Sequence, residues 1–238
     1  MTLSTLLAAG ILAAAATQDS SAHADPDDSG RGWRPVRLDM DLSLLPEEGL
    51  LGIEGRLTLE LVGPPSLGPT LALGAPMHMR FLTAPGKPRV DLGQPIPRLS
   101  DVFASHLRFK KPFETGSRLT ISFLVENEGS DSGLLVDSEI ALSNWPSGWY
   151  PLPIPDQGQS LSKNLVASPG TTIVHMPRGW SSITNGRRTE RRESDDETIE
   201  VWELTEPLAR SFAAGPYTVG RLRAGEREFS VYLLSRPV

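Results

Sequence analysis

The 238-residue chain contains no cysteine. That excludes disulfides, thiolate nucleophiles, cysteine-based zinc sites and lipid attachment through a thioether or thioester. Histidine is scarce as well: His23, His78, His106 and His175 are far apart in sequence. A helical zinc hydrolase site needs His-Glu-x-x-His, which sets two imidazoles on one helix face with the glutamate as base. That run is absent, as are the Gly-x-Ser-x-Gly elbow and the glycine-rich phosphate loops. There is no basic excess: 23 Lys and Arg stand against 29 Asp and Glu, a net charge of −6. This favours solubility and argues against a nucleic-acid footprint. Nor does any window after the first 32 residues hold a 3.6-residue apolar period, so long amphipathic helices are not expected.

Glycine and proline are abundant instead, at 22 and 21 residues. Both exceed the averages of about 7% and 5%, so turns and short strands should dominate. At the N-terminus, Leu3 to Ala16 is apolar over 14 residues, short of the roughly 20 a membrane-spanning helix needs. It reads as a signal-peptide core, although no Lys or Arg precedes it. Cleavage is expected after Ala16, or after Ala24 in the small-x-small run Ala22-His23-Ala24. The organisation read from this is a signal peptide over 1–24, a flexible polar leader over 25–33 and a β domain over 34–238. The protein is expected to be exported, periplasmic or extracellular, with no membrane span in the mature chain and no nucleic-acid partner.

Period two starts at Trp33. Val36, Leu38, Met40, Leu42 and Leu44 alternate with Arg37, Asp39, Asp41 and Ser43, the pattern of a half-buried strand. After the turn Pro46-Glu47-Glu48-Gly49, Ile53, Gly55, Leu57, Leu59 and Leu61 repeat it, which predicts an antiparallel hairpin. Short apolar pieces bounded by Gly or Pro follow at 70–74, 77–83 and 88–92, and strands are expected at 106–109, 118–125, 171–176, 198–204, 210–214, 217–222 and 227–234. The prolines at 146, 151, 153 and 155 argue for irregular chain over 143–170. Asn185-Gly186 is a strong turn signal. The pattern defines an all-β fold, a sandwich-like or open arrangement of curved, mostly antiparallel sheets.

Four groups of residues invite a functional reading. Asp39 and Asp41 share a strand face, yet two carboxylates fall well short of the six to eight oxygens calcium takes, so a solvated strand face is expected. Arg187, Arg188, Arg191 and Arg192 are nearly cancelled by five neighbouring acids, so they read as a solvated hairpin tip. Trp145, Trp149, Tyr150 and Trp180 cluster in a proline-rich stretch. Such aromatics either form a ligand platform or anchor a loop on a sheet, and anchoring is the expected role. As a platform, Trp145, Trp149 and Tyr150 would contact carbohydrate or peptide in a free-standing β-sandwich.

The same stretch carries a family resemblance. The Leu-Asp-x-Asp-Leu strand starting at Leu38 and the Gly-x-x-x-Leu-x-Leu strand starting at Gly55 resemble the opening of M1-family (gluzincin) aminopeptidases. Trp149-Tyr150-Pro151, Asp156, Val174-x-x-Pro177-x-Gly179-Trp180 and Asn185-Gly186 resemble the second half of that family's N-terminal β domain. Pro207-Leu208 and Phe212-Ala213-Ala214-Gly215-Pro216-Tyr217 resemble its closing strands. The resemblance runs from about residue 34 to 234 and implies a saddle-shaped all-β domain. In the family, zinc and catalysis belong to a following thermolysin-like domain with Gly-x-Met-Glu-Asn and His-Glu-x-x-His, neither of which occurs here. The expectation is therefore a non-catalytic module or a truncated or split peptidase part. It would have no cofactor of its own, and its partner would be a separate metallopeptidase catalytic domain or a peptide. One family residue of the β domain, a Gln or Glu, holds the substrate's free amine. Alignment on Pro153 and Asp156 sets Asn144 there, as a candidate contact or simply the turn residue before Trp145.

Overall fold

A computed structural model describes residues 32–74, 77–96, 99–128, 134–143, 148–153, 168–225 and 227–234. The expected signal peptide and most of the leader lie outside these residues. The hairpin read from sequence is present: β1 (Trp33–Leu45) pairs antiparallel with β2 (Leu50–Leu61), from Trp33↔Leu61 to Leu45↔Leu50. A short 3-10 turn, Pro46–Glu48, joins them. Gly49 closes it with φ +67°, a left-handed conformation that glycine adopts without steric cost.

The hairpin is the centre of a seven-stranded sheet. Its other strands are β4 (Met77–Thr83), β7 (Arg118–Asn127), β11 (Gly170–Pro177), β13 (Arg187–Glu193) and β14 (Glu197–Leu204), in the order β13-β14-β11-β1-β2-β7-β4. Every neighbour is antiparallel except β1 and β11, which run parallel from Met40↔Thr172 to Ser43↔His175. A second, four-stranded sheet contains β3 (Thr70–Gly74), β5 (Arg89–Ile96), β6 (Leu99–Arg108) and β10 (Leu152–Pro153), ordered β10-β3-β6-β5. A third, ordered β12-β15-β9-β8, contains β8 (Leu134–Val136), β9 (Ala141–Ser143), β12 (Ser181–Thr184) and β15 (Phe212–Gly215). The last two strands, β16 (Tyr217–Ala224) and β17 (Arg227–Leu234), pair only with each other.

Alternation explains which face is buried. Leu38, Met40, Leu42 and Leu44 of β1, Leu51, Ile53, Leu57, Leu59 and Leu61 of β2, and Leu119, Ile121, Phe123 and Val125 of β7 all point inward. With Leu71, Leu73, Leu107, Leu134, Val136, Trp149, Trp180 and Phe212 they make one cluster spanning the three larger sheets. Gly55 interrupts the leucine pattern for a packing reason. A Cβ there would lie 2.2 Å from Cζ of Phe123, which stands opposite in register. The missing side chain is the space the ring fills.

Two expectations need correction. Residues 187–193 form a paired strand, and the turn is confined to 194–196. Arg210 precedes β15 and is fully buried. The chain bends at Asn185-Gly186, as its turn signal implies, between β12, which pairs with β15 in the third sheet, and β13, which pairs with β14 in the first. The bend carries the chain from one sheet to another.

Candidate functional site

Of the four residues singled out for ligand contact, Asn144 and Trp145 lie outside the described residues, as does Asp156. Trp149 and Tyr150 are only 1% and 3% exposed. The Trp149 ring meets Tyr150 edge-on at 5.0 Å and Phe212 at 5.1 Å, and its Nε1 donates to the Arg210 carbonyl at 3.3 Å. Arg210 N donates in turn to the Tyr150 hydroxyl at 3.2 Å. Burial pushes the Tyr150 phenol above its ordinary pKa, opposed by this N–H and by the Arg210 charge. Neither ring offers a face to solvent. Gly148, with φ +64°, allows the close approach that brings them in: its carbonyl accepts from Gly74 N at 2.8 Å, and a Cβ on it would sit 2.9 Å from that nitrogen. The pair thus fastens the chain between the second and third sheets.

Arg210 completes this anchor. Its Nη1 donates to Thr172 Oγ1 at 3.1 Å, and Nη2 to the carbonyls of Leu38 at 3.0 Å and Ser168 at 3.3 Å. Nε has no partner among the described residues. Burial lowers the guanidinium pKa, with Tyr150 and Asp39 acting the other way.

The solvent face of the large sheet holds the other candidates. Asp39 and Asp41 are each engaged by protein groups. Asp39 accepts from Arg37 Nε at 2.7 Å and from Thr171 N at 2.9 Å. Burial alone would raise its carboxyl pKa, but these two donors and the charges of Arg37 and Arg210 hold it below the usual range. Asp41 Oδ1 lies 3.3 Å from His175 Nε2, whose Nδ1 lies 3.1 Å from Glu197. The ring therefore ties β11 to strands on either side. His106 bonds Thr70 at 2.9 Å, and His78 lies 3.5 Å from Glu128. Among the described residues no three His, Cys, Asp or Glu side chains converge as metal ligands. A depression of about 650 Å³ crosses this face, with Asp39, Asp41, Glu54, Arg56 and Phe81 in its walls.

A buried ionic cluster was not anticipated from sequence. Glu200 is 0% exposed. Its Oε1 receives Arg188 Nη1 at 2.5 Å and Arg191 Nη1 at 2.6 Å, and its Oε2 receives Ser182 N at 2.9 Å and Ser182 Oγ at 2.7 Å. Trp202 Nε1 donates to the same hydroxyl at 2.9 Å. A bulge between Arg188 and Glu190 brings Arg188 and Arg191 to one side of β13. Two of the four arginines read as solvated therefore neutralise a core carboxylate. Strand parity carried a signal: Glu200 shares its face with Trp202 and Leu204, both buried.

No family model matches the chain, and no curated protein matches it. Solved structures do. The M1 zinc metallopeptidase from Deinococcus radiodurans superposes with a TM-score of 0.60 at 17% identity, covering 85% of this chain and 47% of its own. A mutant of that enzyme bound to a Tyr-Ser-Ala substrate gives a TM-score of 0.60 at 18% identity, with the same coverage. A two-domain M1 zinc metallopeptidase mutant bound to L-tryptophan gives 0.58 at 17%, covering 85% and 48%. The likeness is one of fold: this all-β architecture occurs within M1 zinc metallopeptidases. The chain spans about half the length of the structures it matches.

Proposed function

We propose that this chain is the non-catalytic β unit of an M1-type zinc metallopeptidase, and that it covers and shapes an active site carried by a thermolysin-like unit. The observation that carries this reading is the β16–β17 hairpin. It is a two-stranded sheet, an arrangement of marginal stability on its own. By register, Thr218, Gly220 and Leu222 share one face with Val231 and Leu233. On it Leu222 is 62% exposed, Val231 50% and Leu233 61%. None of the described side chains of the hairpin joins the core cluster. Exposed apolar surface of this kind marks an interaction surface. In the solved structures that share the fold, the matched region is joined to as much chain again, which supplies a partner for it.

The chain by itself then binds no stoichiometric zinc and leaves aminoacyl reporter substrates intact. Mixed with an M1 catalytic unit stripped of its own β domain, it forms a one-to-one complex by analytical ultracentrifugation. Leu222→Asp with Leu233→Asp abolishes the complex. Zinc-dependent aminoacyl cleavage by the chain alone, or a complex indifferent to the hairpin substitutions, would refute the assignment.

A further inference from the structure

The two ends of β1 carry opposite charge. At its start, the turn between β6 and β7, with the turn after β4, bounds an open depression of about 670 Å³ lined by Lys110, Lys111, Arg118, Phe109 and Phe113. The Trp33 ring packs edge-on against Phe113 at 5.2 Å, and Phe113 against Phe109 at 4.8 Å. Lys110, Lys111 and Arg118 are exposed, and among the described residues none of them makes an ion pair. Glu60, opposite Arg118 in register, is already bonded by Arg34 at 2.9 Å, and Glu114 is the one acid of the turn itself. The turn is fastened: Phe113 and Ser66 exchange both backbone bonds, at 2.8 and 3.1 Å, and Gly116 N donates to the Leu61 carbonyl at 2.7 Å.

At the other end, the β1–β2 turn presents Glu47 and Glu48, both exposed, between the exposed side chains of Leu45 and Leu50. Asp196 and Glu197 line the same acidic surface. Glu197 lies on His175 at 3.1 Å, and Arg178 is engaged by Glu193 at 3.5 Å and Asp195 at 3.9 Å. Glu47, Glu48 and Asp196 make no ion pair among the described residues. This turn is fixed too: Asn127 Nδ2 donates to the Gly49 carbonyl at 2.9 Å, and Asn127 Oδ1 accepts from Leu51 N at 2.6 Å. From Trp33 to Leu45, at about 3.3 Å per residue, the strand sets the two surfaces about 40 Å apart, so they cannot meet within one chain.

We propose that the β1–β2 turn of one copy docks in the basic depression of a second copy, so that chains associate head to tail. Three unneutralised carboxylates meet three unneutralised cations, and Leu45 meets the Phe109 and Phe113 rings. Both surfaces are already shaped by their own hydrogen bonds, so contact orders little additional chain. The two patches differ, which makes the contact heterologous: each added copy offers a fresh acidic turn and a fresh depression. No residue of β16 or β17 takes part, so the association is independent of the peptidase reading.

Sedimentation of the full chain at low salt is expected to show a weight-average mass that climbs with concentration beyond that of a dimer. Salt at about 1 M, where the screening length is about 3 Å, returns the monomer. Glu47→Lys/Glu48→Lys and Lys110→Glu/Lys111→Glu change exposed positions only, and each variant alone is expected to be monomeric. An equimolar mixture of the two reassociates, because the reversed turn meets the reversed depression and the native turn the native depression. A single chain with all four substitutions associates as the wild type does. A wild-type chain that stays monomeric at about 1 mM, association that survives either reversed pair, or a mixture that fails to reassociate overturns the proposal. Association that stops at a dimer assigns a symmetric contact and also overturns it.

Discussion

Replacing Glu200 with alanine tests how far a buried charge is held by its partners. The carboxylate has no solvent contact and four donors: two guanidinium groups, an N–H and a hydroxyl. Breaking a buried ion pair by removing one partner costs about 3–5 kcal/mol, because the remaining charge is left uncompensated. Here the remaining charges are Arg188 and Arg191, whose side chains are 26% and 31% exposed. They recover part of their hydration, so Glu200→Ala should cost about 3 kcal/mol, the low end of that range. The cluster as a whole contributes much less than its parts. Taking two or three charges out of water offsets most of their attraction, and apolar replacement of an entire buried cluster is often neutral or stabilising. Glu200→Leu with Arg188→Leu and Arg191→Met should therefore regain most of what Glu200→Ala loses. Urea unfolding, with the midpoint compared at constant m-value, reads both effects. A loss below about 1 kcal/mol in the single variant would place the arginines in water rather than on the carboxylate. A triple variant no more stable than the single one would refute the argument that desolvation nearly cancels the attraction.

Trp149→Ala should destabilise the fold by about 3–5 kcal/mol, the usual cost of emptying a buried aromatic site, and calorimetric melting reads it directly. Gly55→Ala should cost about 1–3 kcal/mol by overpacking against Phe123, whereas Gly116→Ala is penalised only through its φ of +84°, since a Cβ there meets nothing within 4 Å; paired urea melts compare the two. Asp39 gives a pH dependence of known sign. Its folded carboxyl pKa lies below the ordinary value, so its contribution is complete above about pH 4 and disappears as pH falls through the folded pKa. Asp39→Asn should therefore be less stable than wild type at pH 6, and the difference should shrink in melts stepped from pH 5 to 2.

The hairpin of β1 and β2, β7 and β14 were legible because one face of each is buried and the other solvated, so period two is written into their residues. The long-range pairings were not. Nothing local in Asp39-Met40-Asp41 or Thr171-Thr172-Ile173 states that they lie side by side in parallel, since that depends on how two distant hairpins dock. β8, β9 and β12 are three or four residues long, too short to display a period. Arg188 and Arg191 looked solvated because their charges balance with near neighbours in sequence. Their actual partner, Glu200, is selected by strand parity and a bulge. The Trp149-Tyr150 anchor was legible as chemistry, since large aromatic rings favour burial, but its main polar support, Arg210, lies 60 residues away and carried no motif.

The parallel β1–β11 contact has a consequence for synthesis. Each side of it is an antiparallel set built from shorter connections: β4, β7, β2 and β1 on one side, β11, β14 and β13 on the other. The first set is complete once residue 127 has emerged, but the strand that covers β1 is finished only at Pro177. At about 5–20 residues per second, β1 keeps a free edge for roughly 3–10 s. A bare strand edge is a template for other chains. Nascent chains of this protein should be most vulnerable to aggregation during that interval, and a chaperone that acts on them has one short window in which to do so.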